Sequence, residues 1–321
     1  MERAAIFGAA GAIGQSLAPE LERRGIPFRA VGRSKEKLER ACAGFSRAEV
    51  FPADLSDPRS AGAAARGVDT IFYCVGLPYP SHNLHPQLMR TTLEAAKAVG
   101  VRRLALVSSV YPFGIPRTAR VAETHPREPN SIKGSYRKQQ EDLVLAAHSP
   151  GAFETLILRL PDFYGPHAEL SLAQLVFTAA LAGKAANWPG VVNTQHEFVF
   201  VPDVGPVLAE LASRPECYGE AWHYGGPGPI NTLDFITRVY RAVGRAPKYR
   251  AAGKTLLRIV GLFNPEVREV IEMLYLQETP VILDDSKLAA KLGPLHKTSY
   301  DDGIRQTIDS IQHSKVGVSV K

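Results

Sequence analysis

The chain has 321 residues, 45% of them hydrophobic, and a formal net charge of +6. That length accommodates one large α/β unit or two modest domains, with enough apolar material for a well-filled core. The basic residues are scattered rather than interleaved with aromatics, which excludes a nucleic-acid footprint, and no run of about 18 apolar residues suits a transmembrane helix.

Residues 4–7 form a short apolar run that suits a buried parallel strand. Three glycines follow at Gly-x-x-Gly-x-x-Gly spacing, Gly8, Gly11 and Gly14, and a helical pattern runs on over 13–24. Such a turn lets the backbone approach a ligand closely. The helix start directs unpaired N–H groups and a positive dipole end at an anion. A dinucleotide pyrophosphate is the natural occupant, with Ala10 and Ile13 completing the turn. Further strands are expected at 28–31, 50–52, 70–75, 103–108 and 154–159. Helices are expected at 35–43, 60–65, 87–99 and 136–147, and Pro19 lies inside the helical pattern at 13–24. This alternation predicts right-handed crossovers and a parallel sheet.

Gly165-Pro166 breaks the pattern. A helix is expected at 170–181, a loop at 183–193, a strand at 196–201 and a helix at 204–212. A Gly/Pro-rich stretch at 224–229 precedes a helix at 233–243, which Asn231 and Thr232 are suited to cap. Helices near 267–274, 286–292 and 303–311 close the ordered chain, and 312–321 reads as a frayed tail. The first strand begins at once, which leaves no room for a signal peptide. Cys42, Cys74 and Cys217 show no Cys-x-x-Cys spacing and read as reduced packing residues, so a cytoplasmic location is expected.

The second strand runs into Gly32-Arg33-Ser34, where a carboxylate would bind the adenosine ribose of NAD. Arg33 instead offers a planar donor fork suited to a 2′-phosphate, so NADP(H) is favoured over NAD(H). Asp54-Leu55 follows the third strand, where Asp54 either accepts from the adenine amino group or caps a helix. Gly76 ends the fourth strand and lets the backbone pass near the ribose.

Further motifs are Val107-Ser108-Ser109, Leu158-Arg159-Leu160-Pro161-Asp162-Phe163-Tyr164-Gly165-Pro166 and Glu197-Phe198-Val199-Phe200-Val201-Pro202-Asp203-Val204. Leu283-Asp284-Asp285-Ser286-Lys287-Leu288, Leu292-Gly293 and Tyr300-Asp301-Asp302-Gly303 come later. In this order and spacing the chain resembles the extended or atypical short-chain dehydrogenase/reductases, in the epimerase/dehydratase-like group. The resemblance implies a Rossmann-type doubly wound parallel sheet with a smaller C-terminal substrate domain that exchanges segments with it. The Rossmann domain would span 1–165 plus about 194–215. The substrate domain would span 166–193 plus about 216–311. Ser108 would lie on the cofactor side, Pro161, Asp162 and Phe163 beside the nicotinamide, and 196–201 would return to the main sheet.

The family's Tyr-x-x-x-Lys pair is missing. The fourth residue after Tyr136 is Gln140; counted back from Glu141, Arg137 takes the lysine place and Lys133 the tyrosine place. An i,i+4 spacing keeps Lys133 and Arg137 on one helical face, where both could serve the cofactor. Tyr111, at the carboxyl end of the fifth strand, is the best proton donor if a cation such as Lys133 lowers its pKa. Ser109 is suited to bond the substrate, and Tyr136 is a further acid candidate. His196 stands where nucleotide-sugar enzymes often carry a diphosphate-binding arginine, which favours a smaller or less charged substrate. Tyr79, His82, His85, Phe113, Phe163, Tyr164, His167 and Trp188 fall in loops that could line a pocket. His82 and His85 lack a matching ligand cluster, so no metal is expected.

The leading expectation is an NADP(H)-dependent oxidoreductase acting on a carbonyl/alcohol substrate, with Tyr111, Lys133 and Ser109 at the reacting centre. The alternatives are a nucleotide-sugar or other sugar epimerase/dehydratase with tightly held cofactor, and a non-catalytic NADP(H)-binding redox sensor. A small molecule is the expected partner, without nucleic acid or membrane, and a homodimer is compatible.

Overall fold

In a computed structural model, residues 1–316 are described, apart from the side chains of 265, 266 and 314–316. The first half alternates as the sequence predicts. It runs β1 (Ala4–Phe7), α1 (Ala12–Arg23), β2 (Phe28–Gly32), α2 (Lys35–Ala41), β3 (Ala48–Pro52) and α3 (Pro58–Ala65). Then come β4 (Thr70–Tyr73), α4 (Leu84–Ala98), β5 (Arg103–Ser109), α5 (Ile132–Ala147) and β6 (Glu154–Leu160). The second half runs β7 (Asp162–Tyr164), α6 (Ala173–Ala182), β8 (Ala186–Pro189), β9 (Gln195–His196), β10 (Phe198–Phe200) and α7 (Val201–Ser213). It continues with β11 (Ala221–His223), β12 (Ile230–Asn231), α8 (Thr232–Ala242), β13 (Tyr249–Ala252) and α9 (Lys254–Gly261). Last come α10 (Pro265–Ile271), α11 (Tyr275–Glu278), α12 (Ser286–Leu292) and α13 (Tyr300–Val316).

Among the described residues, seven parallel strands form the main sheet in the order β11-β6-β5-β4-β1-β2-β3. Successive side chains of a strand face opposite ways. Ala4 and Ile6 therefore join the core under α1 and α7, with Leu17, Leu21, Val204 and Leu208. Ala5 and Phe7 join the opposite core under α3, α4 and α5, with Ala61, Met89 and Val144. The strand order reverses between β1 and β4, and ligands of open α/β sheets bind at that point. No helix among the described residues is long and apolar enough to cross a membrane.

Several elements depart from expectation. The strand expected at 196–201 does not return to the main sheet: β9 pairs antiparallel with β12, and β10 pairs with β7. The last place in the main sheet goes to β11, which pairs with β6. Pro202 opens α7 immediately after β10, so the apolar run is divided between a strand and a helix. The expected loop at 183–193 holds β8, paired with β13. Strand β4 stops at Tyr73, and α5 starts one turn early because the Ser131 side chain accepts from the Gly134 N–H. Asn231 caps α8 by accepting from the Leu233 N–H, with Thr232 as its first residue. Helix α9 was not expected, and α13 continues to Val316 rather than fraying at Gln312; 317–321 lie outside the described residues.

The late motifs tie the second half to the first. Asp203 accepts from the Thr298 N–H at 2.8 Å and its hydroxyl at 2.7 Å. Asp285 accepts from the Gly225 N–H at 3.1 Å, and Glu197 accepts from the Leu283 N–H at 2.9 Å. Helices α1 and α7 meet at Gly205, whose N–H donates to Ser16 Oγ at 2.9 Å.

A Cβ at Gly205 would lie 2.1 Å from the Ser16 carbonyl oxygen. Gly205→Ala should therefore force the two helices apart and cost about 1–3 kcal/mol, read from denaturant unfolding. A variant as stable as the parent would show that the contact yields freely. A second outcome concerns pH. Burial pushes the Glu197 carboxyl up to about 7, against the Leu283 N–H bond that favours its ionised form. The unfolded chain releases this proton near pH ~4.3, so between the two values the folded state binds more protons. Stability should then fall as pH rises through that window and stay lower above it. Glu197→Gln keeps an acceptor for Leu283 and should remove this loss, seen as a shallower pH dependence of the urea midpoint. Identical slopes for parent and variant would exclude the titration.

Candidate active site

The glycine turn closes against the neighbouring strand at the switch point. Gly8 has φ +89°, and a Cβ on it would lie 2.8 Å from the carbonyl carbon and oxygen of Cys74, just past β4. A Cβ on Gly14 would lie 2.6 Å from the Gly8 carbonyl oxygen and from Ala9 Cα. Gly11 is the N-cap of α1 and brings no capping side chain. The turn is thus shut to side chains while the helix start keeps its donors for a ligand, and these residues fit a pyrophosphate. Ala10 accepts from the Gln15 side chain at 3.0 Å, and Ile13 is buried in the core beneath the turn.

Arg33 is exposed just beyond β2, close enough to Asp54 to help hold that carboxyl below its ordinary range. The larger cause is the turn Asp54 makes with Ser56, whose N–H donates to Asp54 at 2.9 Å and whose hydroxyl donates at 2.8 Å. Asp57, not Asp54, caps α3. Leu55 is buried, and Gly76 is exposed 3.7 Å from Leu170 as judged by an added Cβ.

The carboxyl ends of β4, β5 and β6 assemble a group of phenols. Tyr79 and Tyr111 share a hydroxyl–hydroxyl bond of 3.2 Å. Burial raises the pKa of both well above the ordinary value, and the nearby Asp162 carboxylate raises it further. Both phenols therefore stay protonated at neutral pH. Asp162 bonds His196 Nε2 at 2.9 Å, while His196 Nδ1 and His82 Nδ1 are buried without a partner among the described residues. His82 bonds the Leu77 carbonyl at 3.1 Å, and burial lowers its pKa to about 4, so it is neutral. Ser109 Oγ accepts from the Tyr111 N–H at 3.4 Å. Pro161 is buried, and Phe163 packs partly against the core beneath the glycine turn.

The cations expected beside this group are engaged elsewhere. Lys133 is 5% exposed and donates to Glu269 at 2.7 Å and to Glu272. Its ammonium sits 5.7 Å from the Tyr79 ring centroid. The expectation that Lys133 lowers the Tyr111 pKa is thus corrected: two carboxylates neutralise the lysine, and the phenol is shifted upward. Arg137 is also corrected as a free ribose ligand. It donates to the Val107 carbonyl at 3.2 Å and the Gln140 side chain at 2.5 Å, with His85 Nδ1 at 3.3 Å. Beside it, Ser108 donates to the fully buried Glu141 at 2.6 Å, and Arg159 donates to Glu141 through two nitrogens. Ser108 is therefore bound inside a protein network rather than presented to a ligand. Tyr136 is half-buried.

Among the other pocket candidates, Phe113, Tyr164 and Trp188 are core residues, and His167 is exposed with φ +61°. Glu269, Glu272 and Tyr275 escaped the sequence reading. They reach α5 and the phenols from more than 130 positions away, and only the i,i+3 spacing of the two acids hinted at a shared face.

Comparison with known proteins agrees with this geometry. A family model described as NAD(P)H-binding matches residues 8–157. The chain is 26% identical over 302 residues to 3beta-hydroxysteroid-dehydrogenase/decarboxylase isoform 1 of Arabidopsis thaliana, covering 84% of this chain and 68% of that protein. It is 26% identical over 325 residues to a 4-hydroxy-2-methyl-3-oxo-4-farnesyl-3,4-dihydroquinoline-1-oxide ketoreductase of Stigmatella aurantiaca, covering 94% of each. The fold is that of dTDP-glucose 4,6-dehydratase from Bacillus anthracis, solved with NAD, at TM-score 0.81 and 16% identity over 98% of each chain. The switch-point glycine turn, the 3-2-1-4-5-6 strand order and the match over 8–157 make this an NAD(P)-binding Rossmann fold, and these relatives support an enzyme similar to the extended short-chain dehydrogenase/reductases, with the fold seen in the dehydratases.

Proposed function

We propose that this enzyme is an NADP(H)-dependent oxidoreductase that reduces a ketone or aldehyde to an alcohol. The observation that carries the reading is the half-buried Tyr79–Tyr111 pair at the carboxyl end of the sheet, beside Asp162. The nicotinamide supplies the hydride to the carbonyl carbon when bound. Tyr111 Oη donates the proton to the carbonyl oxygen, Tyr79 restores it through their shared hydrogen bond, and the partly exposed Tyr79 takes the replacement proton from solvent. The raised pKa keeps the phenol protonated at neutral pH, the form that a proton donor to a carbonyl needs. Ser109 stands two residues before Tyr111 and is assigned to orient the substrate. Lys133 is assigned to position Tyr79 through its ring contact.

Gly8, Ala10, Gly11, Ile13 and Gly14 are assigned to the pyrophosphate, Asp54, Leu55 and Gly76 to the adenosine end, and Pro161, Asp162 and Phe163 to the nicotinamide end. The substrate unit is assigned to 166–193 plus about 216–311. A separate apolar core, with Phe177, Trp188, Phe235 and Tyr240, supports that division. His196 pairs with Asp162 rather than offering a free cation, which supports an uncharged substrate over a nucleotide diphosphate.

Tyr111→Phe should lower turnover by about 10²–10⁴-fold in a spectrophotometric assay with a carbonyl panel and NADPH. Parent-like turnover by that variant would remove Tyr111 from the chemistry, and turnover of sugar nucleotide without net NADPH consumption would favour the epimerase/dehydratase reading instead. For the cofactor, Arg33→Ala should weaken NADPH roughly 10–100-fold and leave NADH unchanged in a fluorescence titration. Equal weakening of both, or tighter NADH binding by the parent, would overturn the NADP(H) assignment.

A further inference from the structure

The region from β13 to the end of α9 presents a surface unlike the rest of the molecule. Between Arg241 and Asn264 the chain carries six basic residues, Arg241, Arg245, Lys248, Arg250, Lys254 and Arg258, and no acidic residue. All six are exposed, and none of their side chains joins an ion pair among the described residues. Basic residues elsewhere are commonly paired: Arg238, one turn earlier, bonds Asp234 and Asp301.

Within this basic segment lies a concentrated set of exposed apolar side chains. Leu256, Ile259, Val260 and Phe263 fall at i, i+3, i+4 and i+7 and lie along one side of α9 and the turn that follows it. Leu262 and Phe263 are 79% and 86% exposed. The protein-facing side of α9 is taken by Leu257 and by Gly261, where a Cβ would lie 3.2 Å from Arg268 Cα on α10. The outward stripe is therefore not an unfinished core contact. A protein partner would have to be acidic and apolar at once across the same patch. An anionic bilayer supplies both properties, with apolar side chains entering the headgroup boundary and Lys/Arg side chains reaching the phosphates.

We propose that the enzyme docks on anionic membrane surfaces through α9 and its following turn. Leu256, Ile259, Val260, Leu262 and Phe263 insert, and Arg250, Lys254 and Arg258 face the lipid headgroups. This mode needs no membrane-crossing helix. It also places the membrane-facing element next to the candidate active site, because α10 packs on α9 and carries Glu269, which bonds Lys133.

The test is cosedimentation of the full chain with vesicles of phosphatidylcholine alone and of phosphatidylcholine mixed with phosphatidylserine. The parent should bind the mixed vesicles at least about tenfold more tightly, with affinity falling as salt rises. The double variant Leu262→Asp/Phe263→Asp should lose binding to both. The triple variant Arg250→Glu/Lys254→Glu/Arg258→Glu should lose the preference for phosphatidylserine. All five positions are exposed, and circular dichroism would show that each variant keeps its fold. Absence of parent binding to mixed vesicles overturns the proposal, as does binding that both variants retain. A parent that elutes as a dimer and a Leu262→Asp/Phe263→Asp variant that elutes as a monomer, with no vesicle binding by either, would assign the patch to self-association instead.

Discussion

The structure depends on one close approach, the backbone of Gly8 against the backbone of Cys74 where β1 and β4 end side by side. This is the place where the sheet order reverses, so the crevice above it is flanked by helices that leave in opposite directions. Any side chain at Gly8 would push β4 away or fill that crevice. The next constraint, Gly14 against the Gly8 carbonyl, sets how tightly α1 can start. An anion site here is a consequence of packing two strands and a helix at a distance only glycine permits.

On the far side of the crevice the sheet is held by charge. Glu141 lies fully buried between Ser108 on β5 and Arg159 on β6, with Arg127 also donating to it at 3.2 Å. A buried carboxylate needs such compensation, because an unpaired charge there would be costly. Arg137 is absorbed into the same layer, bonding the β5 backbone at Val107. Helix α5 therefore ties β5 to β6 through Glu141 and Arg137. The phenols that remain at the strand ends hold their protons tightly because burial disfavours the phenolate.

How much of the site was legible follows from sequence distance. Residues of the glycine turn lie within seven positions of one another, and their geometry is dictated by local backbone conformation, so spacing alone carried them. Tyr111 was legible because it follows a strand end by two residues. Its partner Tyr79 was visible only as one loop aromatic among several, since a hydroxyl pair between two loops has no periodic signature. The clamp on Lys133 was not legible at all. Its acids stand on and just past α10, far along the chain, and only packing decides which helix they meet.

The sequence by itself determined the parallel αβ layer, the turn that cradles an anion and the absence of the usual catalytic pair, because each follows from local periodicity or fixed spacing. Tertiary structure alone decided that β11 rather than β10 completes the main sheet. It alone decided that Lys133 is neutralised, that Arg137 is buried, and that the α9 apolar stripe faces outward. Those outcomes depend on which surfaces remain after distant segments have packed, and a residue's type and neighbours in the chain carry no record of that competition.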